Sequence, residues 1–499
     1  MKNFFENKFF IYSFLLLYTF FIRIHSLTFE IISWDEATYI LAGREILMGF
    51  LPYESFYEMK PPLLYYIYSI PLYIHSSVES VRIFGILCIF ISASFVYVIA
   101  KRYVDRYLSL LGSLFFISIM NYYFWLDTSS EIVCLPFILL SLIAFFKSKE
   151  SNTYLFLSGL LISISTLIRL NIGYLAVFLF IYLIFKKNSF KEKVKELSLY
   201  IISGFIPIII LIILYYDKGL LNLLYTGTFE VPLAYASENT LLKGLINYLK
   251  TIVKLCYFNP LLFGPLVFLI VFSLFKKSSL SKDRIIFNIF FIALIFSTLV
   301  AGQGFSHHLV LILPFAIIYI ISINFNSIMY KKLMVSLLLL TCIYSSYLSI
   351  GFNINLYKND FNFRSNHKIR EISNEIVNGE GSILALDYHL LYFYDQNLIP
   401  WKLIHTPAVV RNTTFDRLYP LVEIGYFEKN FVDKVLNKNY EYILCSTRIC
   451  LEGRPNLDND RIKEMLKKYK IVKRINNFSK WEHTKIGNLL LYKKLKKSD

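Results

Sequence analysis

The sequence predicts an α-helical polytopic membrane protein, with about 11 transmembrane helices and a small α/β domain at its C-terminal end. Three observations carry this expectation. Hydrophobic residues make up 56% of the 499 residues and aromatic ones 18%, more than a water-soluble domain holds. Apolar runs near the spanning length recur through the first two thirds of the chain, separated by short basic clusters. Beyond residue 351 Asn, Lys, Asp and Glu rise, and the apolar runs shrink to strand length.

The expected spans are 9–28, 80–100, 107–126, 130–147, 152–168, 172–186, 197–216, 257–275, 284–300, 308–325 and 333–351. The first follows Lys2 and Lys8 and has no small-residue cleavage site, so it reads as a retained helix. Lys101, Arg102 and Arg106 mark one cytoplasmic turn, and Lys147 with Lys149 a second. Lys186 to Lys195, Lys276 with Lys277, and Lys331 with Lys332 mark three more. The rule places the N-terminus in the cytoplasm and the C-terminal domain outside. The opposite turns hold DTSSE (127–131), IRLNIG (168–173), the loop 217–250 and GQGFSHH (302–308).

Residues 61–76, PPLLYYIYSIPLYIHS, are apolar but short and Tyr-rich. If they crossed, KRYVDR at 101–106 would lie outside, against the charge rule, so they read as a juxtamembrane helix in the outer interface. The domains are therefore 1–351, a membrane domain with a first outer loop at 30–78, and 352–499, the outer α/β domain. In the tail GSILALDY, EYILCS, YKIVKRI and GNLLLYKKL read as strands, and FVDKVLNK and RIKEMLKKY as amphipathic stretches. Cys445 and Cys450 lie on the oxidising side, where both a disulfide and two free thiols are open readings. NTT at 412–414 matches a glycosylation acceptor pattern that is common by chance.

The net charge of +17 reflects topology and anionic headgroups, not nucleic acid, because the basic residues alternate with apolar runs. The informative polar residues gather at the outer face: Asp35, Glu36, Glu58 and Lys60, then Asp127 and Glu131, Arg169, and His307 with His308. A transporter places charges near the midplane. This pattern indicates an interfacial active site instead. Tandem Asp35–Glu36 also reads as a helix start capped by Ser33.

Asp35–Glu36 after the first span, Gly49, Pro52 and Tyr53 of G-x-x-P-Y, and KPPLLYY at 60–66 resemble the polyprenyl-phosphate-sugar-dependent glycosyltransferases of the GT-C fold. The nearest kin are bacterial relatives of protein O-mannosyltransferases and of the aminoarabinose transferase of lipid A. S-S-E at 129–131, Leu167-Ile168-Arg169, and FSHHLVLILPF at 305–315 are similar to later family segments, with His308 where many members have Tyr. The likeness covers residues 9–325.

The resemblance implies transfer of a sugar from a polyprenyl-phosphate donor to a lipid, glycan or protein acceptor on the outer face, with inversion at the anomeric carbon. It implies Asp35 as the base, Glu36 as its neighbour, and Lys60, Arg169 and His308 as donor-phosphate ligands. No cofactor is required by the pattern. A divalent metal is left open, with Glu58 and His307 or His308 as donors, although Met59 separates Glu58 from Lys60 where some relatives have the two adjacent. His389 and Asp387 in the tail read as ordinary residues. The expected partners are the lipid-linked sugar, its acceptor and membrane lipids. Competing readings are a lipid-linked glycan ligase or polymerase, an isoprenoid-sugar transporter, and a binding protein without catalysis. Richness in Lys, Asn, Ile and Phe fits an AT-rich genome and a bacterium, which would place the protein in the inner membrane.

Overall fold

The computed structural model describes residues 7–236, 240–274, 282–323, 328–364, 367–378, 382–394, 402, 404–405, 414–453, 458–475, 480–481, 484–485 and 488–495. Lys276 and Lys277 of one expected basic turn lie outside the described residues, as do Asn412 and Thr413 of the NTT pattern. The chain forms two compact units that do not follow its linear order. One comprises Met1–Thr28, Val81–Leu214 and Ala236–Phe363, the other Phe29–Ser80, Tyr215–Tyr235 and Arg364–Asp499.

The first unit is helical. Apolar runs with no water to bond their backbones close every amide within the helix. Six helices among the described residues are long and apolar enough to cross a membrane, and they make this a multi-pass membrane protein. They are Lys8–Thr28, Val78–Ala100, Ser130–Lys147, Phe190–Asp217, Asp283–Val300 and Ile328–Lys358. Shorter apolar helices, among them Arg106–Ile119, Asn152–Ile168, Leu170–Phe185 and Pro260–Phe272, fill the other expected span positions. The expected span 308–325 differs: a 3-10 turn occupies Ser306–Leu311, and the α-helix begins at Leu313 with Pro314 in its first turn. Polar Ser306, His307 and His308 make the tighter turn. The sequence also missed the amphipathic helix Leu241–Phe258 within and beyond the loop 217–250.

Polar residues fix the two ends of this unit. Asp283 receives Arg102 at 2.5 Å and Lys149 at 2.8 Å, so the first two basic turns meet at one end. Arg23, buried, donates to the Met120 and Trp125 carbonyls and closes the end of Arg106–Ile119. Between helices small residues meet, as where Ser141 Oγ lies 2.9 Å from Ser158 Oγ.

In the second unit a four-stranded sheet has the order β1-β2-β6-β3, with β1 Ile383–Ala385, β2 Tyr442–Ser446, β3 Tyr469–Ile475 and β6 Leu489–Lys494. Two-residue strands β4, Lys480–Trp481, and β5, Thr484–Lys485, pair separately. β1 runs parallel to β2, while β6 is antiparallel to both its neighbours. All four expected tail strands thus share one sheet, and Phe431–Asn437 and Asn459–Leu466 supply the expected helices. Cys445 and Cys450 are joined by a disulfide.

The sequence assigns 30–78 to the segment 1–351, but 29–80 folds into the unit of the tail, for identifiable reasons. Glu30 accepts the Ile369 and Arg370 amides at 2.8 and 2.7 Å. Arg44 donates to the Tyr392 and Phe393 carbonyls. Helix Trp34–Leu47 packs on Leu63–Ile74, the expected juxtamembrane helix, at Gly43, where an added Cβ would lie 3.0 Å from the Tyr68 carbonyl carbon.

Candidate active site

Helix Trp34–Leu47 starts because Ser33 caps it, its hydroxyl accepting the Glu36 amide at 3.1 Å. Asp35 and Glu36 occupy the first turn, where the helix dipole favours anions. Their environments differ. Glu36 is 1% exposed, whereas Asp35 is half-buried and so reachable by a substrate. The Tyr39 hydroxyl, one turn on, makes a long contact of 3.5 Å to Asp35 Oδ2.

Two tail histidines complete this turn. His389 Nε2 lies 2.8 Å from Thr38 Oγ1 and 3.1 Å from the Trp34 carbonyl oxygen. Burial pushes His389 down to about 3, so its ring is neutral at ordinary pH. Because Nε2 faces a carbonyl, that nitrogen carries the hydrogen. His405 Nδ1 lies 3.1 Å from Thr38 Oγ1 and 4.0 Å from Glu58 Oε2. Sequence reasoning treated His389 as ordinary and did not select His405. Both hold the turn that carries Asp35, through Thr38 and the Trp34 carbonyl.

Lys60 is held by a tyrosine frame. Gly49 and Tyr53 have φ of 93° and 70°, left-handed values that fold the G-x-x-P-Y loop back. For Tyr53 this costs about 1 kcal/mol or more, which its buried contacts offset. Its hydroxyl donates to the Lys60 carbonyl at 2.5 Å, and its ring meets Gly227, where an added Cβ would be 3.0 Å away. The Tyr65 hydroxyl donates to the carbonyls of Glu58 and Lys60, both at 3.1 Å. Burial raises both phenols well above their ordinary value, so they stay protonated donors. Lys60 itself is half-buried, and its ammonium makes no ion pair among the described residues.

The other candidates form a cluster in the helical unit. Arg169 ends helix Asn152–Ile168, and its Nη1 lies 2.6 Å from Glu131 Oε1 and 3.0 Å from Ser130 Oγ. Ser130 donates to Glu131 Oε2 at 3.0 Å. His307 and His308 Nε2 stand 3.6 and 3.8 Å from Glu131 Oε1, and the Tyr248 hydroxyl lies 2.5 Å from His308 Nδ1. Glu131 is therefore the hub of this group. Arg169 Nε, also buried, has no hydrogen-bond partner among the described residues and keeps a donor available.

Glu58 neighbours His405, and His307 neighbours Glu131. Glu131, His307 and His308 bring three ligand atoms within 4.8 Å of one another, a donor set of the zinc type. Yet Arg169 forms an ion pair with Glu131 Oε1, and Ser130 donates to Oε2. A dication beside that guanidinium is repelled, so these residues fit an ion pair better than a resident metal.

Apolar helices joined to a carboxylate-bearing first loop and an α/β tail match a known architecture. The chain has a TM-score of 0.60 and 12% identity to the crystal structure of ArnT from Cupriavidus metallidurans bound to undecaprenyl phosphate, covering 96% of this chain and 97% of that one. The apo ArnT structure from the same organism gives a TM-score of 0.56 at 11% identity, covering 96% and 98%. Residues 59–215 match the family described as dolichyl-phosphate-mannose-protein mannosyltransferase. No curated protein matches the chain. The protein thus has the GT-C fold of these structures.

Proposed function

We propose that this chain transfers a hexosyl or pentosyl group from a polyprenyl-phosphate donor to a lipid, glycan or protein acceptor, with inversion. The half-buried Asp35, in the same unit as a Lys60 without an ion-pair partner among the described residues, carries this reading. The acceptor oxygen attacks the anomeric carbon, and its proton passes to the Asp35 carboxylate. The C–O bond to phosphate breaks, and the bonding pair leaves with the lipid phosphate. Lys60 neutralises that charge. Buried Glu36 stabilises the turn beside Asp35.

We also place the N-terminus in the cytoplasm and the tail outside a bacterial inner membrane. The shared contact of Arg102 and Lys149 with Asp283 supports a single basic end. The test is mass spectrometry of envelope lipids, glycans and proteins from wild-type, deletion and Asp35→Asn hosts. The same sugar missing in both mutants supports the reading. Loss in the deletion alone points to a transporter or a binding protein.

A further inference from the structure

Away from Asp35 and Lys60 the second unit contains a cavity of about 380 Å³. Its wall includes Arg364, Arg370, His75, His367, Glu79 and Tyr394. Arg364 Nε pairs with Glu79 Oε1 at 2.7 Å, so one guanidinium is neutralised in place. Arg370 lies over the Tyr394 ring, 5.9 Å from its centroid, and makes no ion pair among the described residues. Its amide is anchored by Glu30, which also accepts the Tyr394 hydroxyl at 3.0 Å. Ser77 takes part in the wall, with His75 Nδ1 held 2.9 Å from its hydroxyl. The Arg370 guanidinium, two imidazoles and a serine beside the Arg364–Glu79 pair make an anion receptor.

The place of this cavity in the chain indicates where the anion comes from. His75 ends helix Leu63–Ile74, on which Ile70, Tyr73 and Ile74 are 53%, 82% and 79% exposed. Those residues share one face at i, i+3 and i+4, as in a helix that lies in a membrane interface. Val78 and Glu79, also in the wall, begin the membrane-spanning helix Val78–Ala100. The receptor therefore adjoins an apolar helix face and the start of a span, the depth of lipid headgroups. We propose that this cavity binds the phosphomonoester headgroup of a membrane lipid. Neither Asp35 nor Lys60 lines it, so this site is separate from the proposed transfer step.

The test is native mass spectrometry of the detergent-solubilised full chain with short-chain phosphatidic acid, and with phosphatidylcholine of equal chain length. Phosphatidic acid is expected to bind in preference. Arg370→Ala is expected to weaken it roughly tenfold or more, and Arg370→Lys less, with the unfolding temperature as the folding control. Asp35→Asn is expected to retain binding whether or not it loses transfer, so failure of the transfer reading stays distinguishable. Equal retention of phosphatidylcholine would overturn the proposal. So would displacement by inorganic phosphate at equal concentration, which marks a soluble-phosphate site. Binding that survives Arg370→Ala but is lost in Lys60→Ala would overturn it as well.

Discussion

Replacing Glu30 by glutamine is expected to remove a pH-dependent loss of stability from the unit that contains the tail. Glu30 is 3% exposed, and burial raises it from its ordinary 4.5 to about 7, against the pull of the Ile369 and Arg370 amides and the Tyr394 hydroxyl. Glu371 adds a smaller push in the same direction as burial. The folded value lies above the unfolded one, so the protonated acid favours the fold. That contribution is complete below about pH 4.5 and is lost as pH rises through about 7. Each pKa unit is worth about 1.4 kcal/mol, so the full effect is about 3 kcal/mol. Native-state hydrogen exchange of the Ile369 and Arg370 amides, corrected for intrinsic rates, reads it directly. Wild-type opening energies should fall between about pH 5 and pH 8, while Glu30→Gln stays flat. A flat wild-type profile, or an equal slope in the variant, would refute the reasoning.

Two further substitutions test the packing and the buried pair. Glu131→Gln leaves the Arg169 guanidinium buried and uncompensated, and should cost about 3–5 kcal/mol in denaturant unfolding. Adding Arg169→Met should recover much of that loss, and a double-mutant cycle measures the coupling. Gly43→Ala sets a Cβ 3.0 Å from the Tyr68 carbonyl carbon and 3.1 Å from the Ser69 nitrogen, backbone that cannot rotate away. Its unfolding free energy should drop by about 1 kcal/mol or more, despite the better helix propensity of alanine.

The spans and the sheet were legible because their signals are local. An apolar run such as 130–147 needs only its own residues to close its backbone, and the alternation in YKIVKRI fixes a strand. The first loop was legible from Ser33, Asp35 and the glycine and proline spacing before Lys60. What brought its turn together was not. His389 meets Thr38 from 351 residues away, and no period or motif near His389 announces that contact. Likewise Glu131, Arg169 and His308 lie on separate elements, so their order along the chain shows shared sidedness but not that Glu131 takes the arginine. Helix Leu241–Phe258 escaped notice because its lysines interrupt the apolar pattern expected of a span.

The central claim is that Asp35 removes the acceptor proton while Lys60 holds the departing phosphate. The direct measurement is single-turnover transfer by purified full-length protein supplied with polyprenyl-phosphate sugar, alongside equilibrium binding of the donor. Asp35→Asn should lose transfer by at least about a hundredfold while binding donor as wild type does. Lys60→Ala should weaken donor binding as well as transfer. Transfer that persists in Asp35→Asn with normal donor binding would contradict the account.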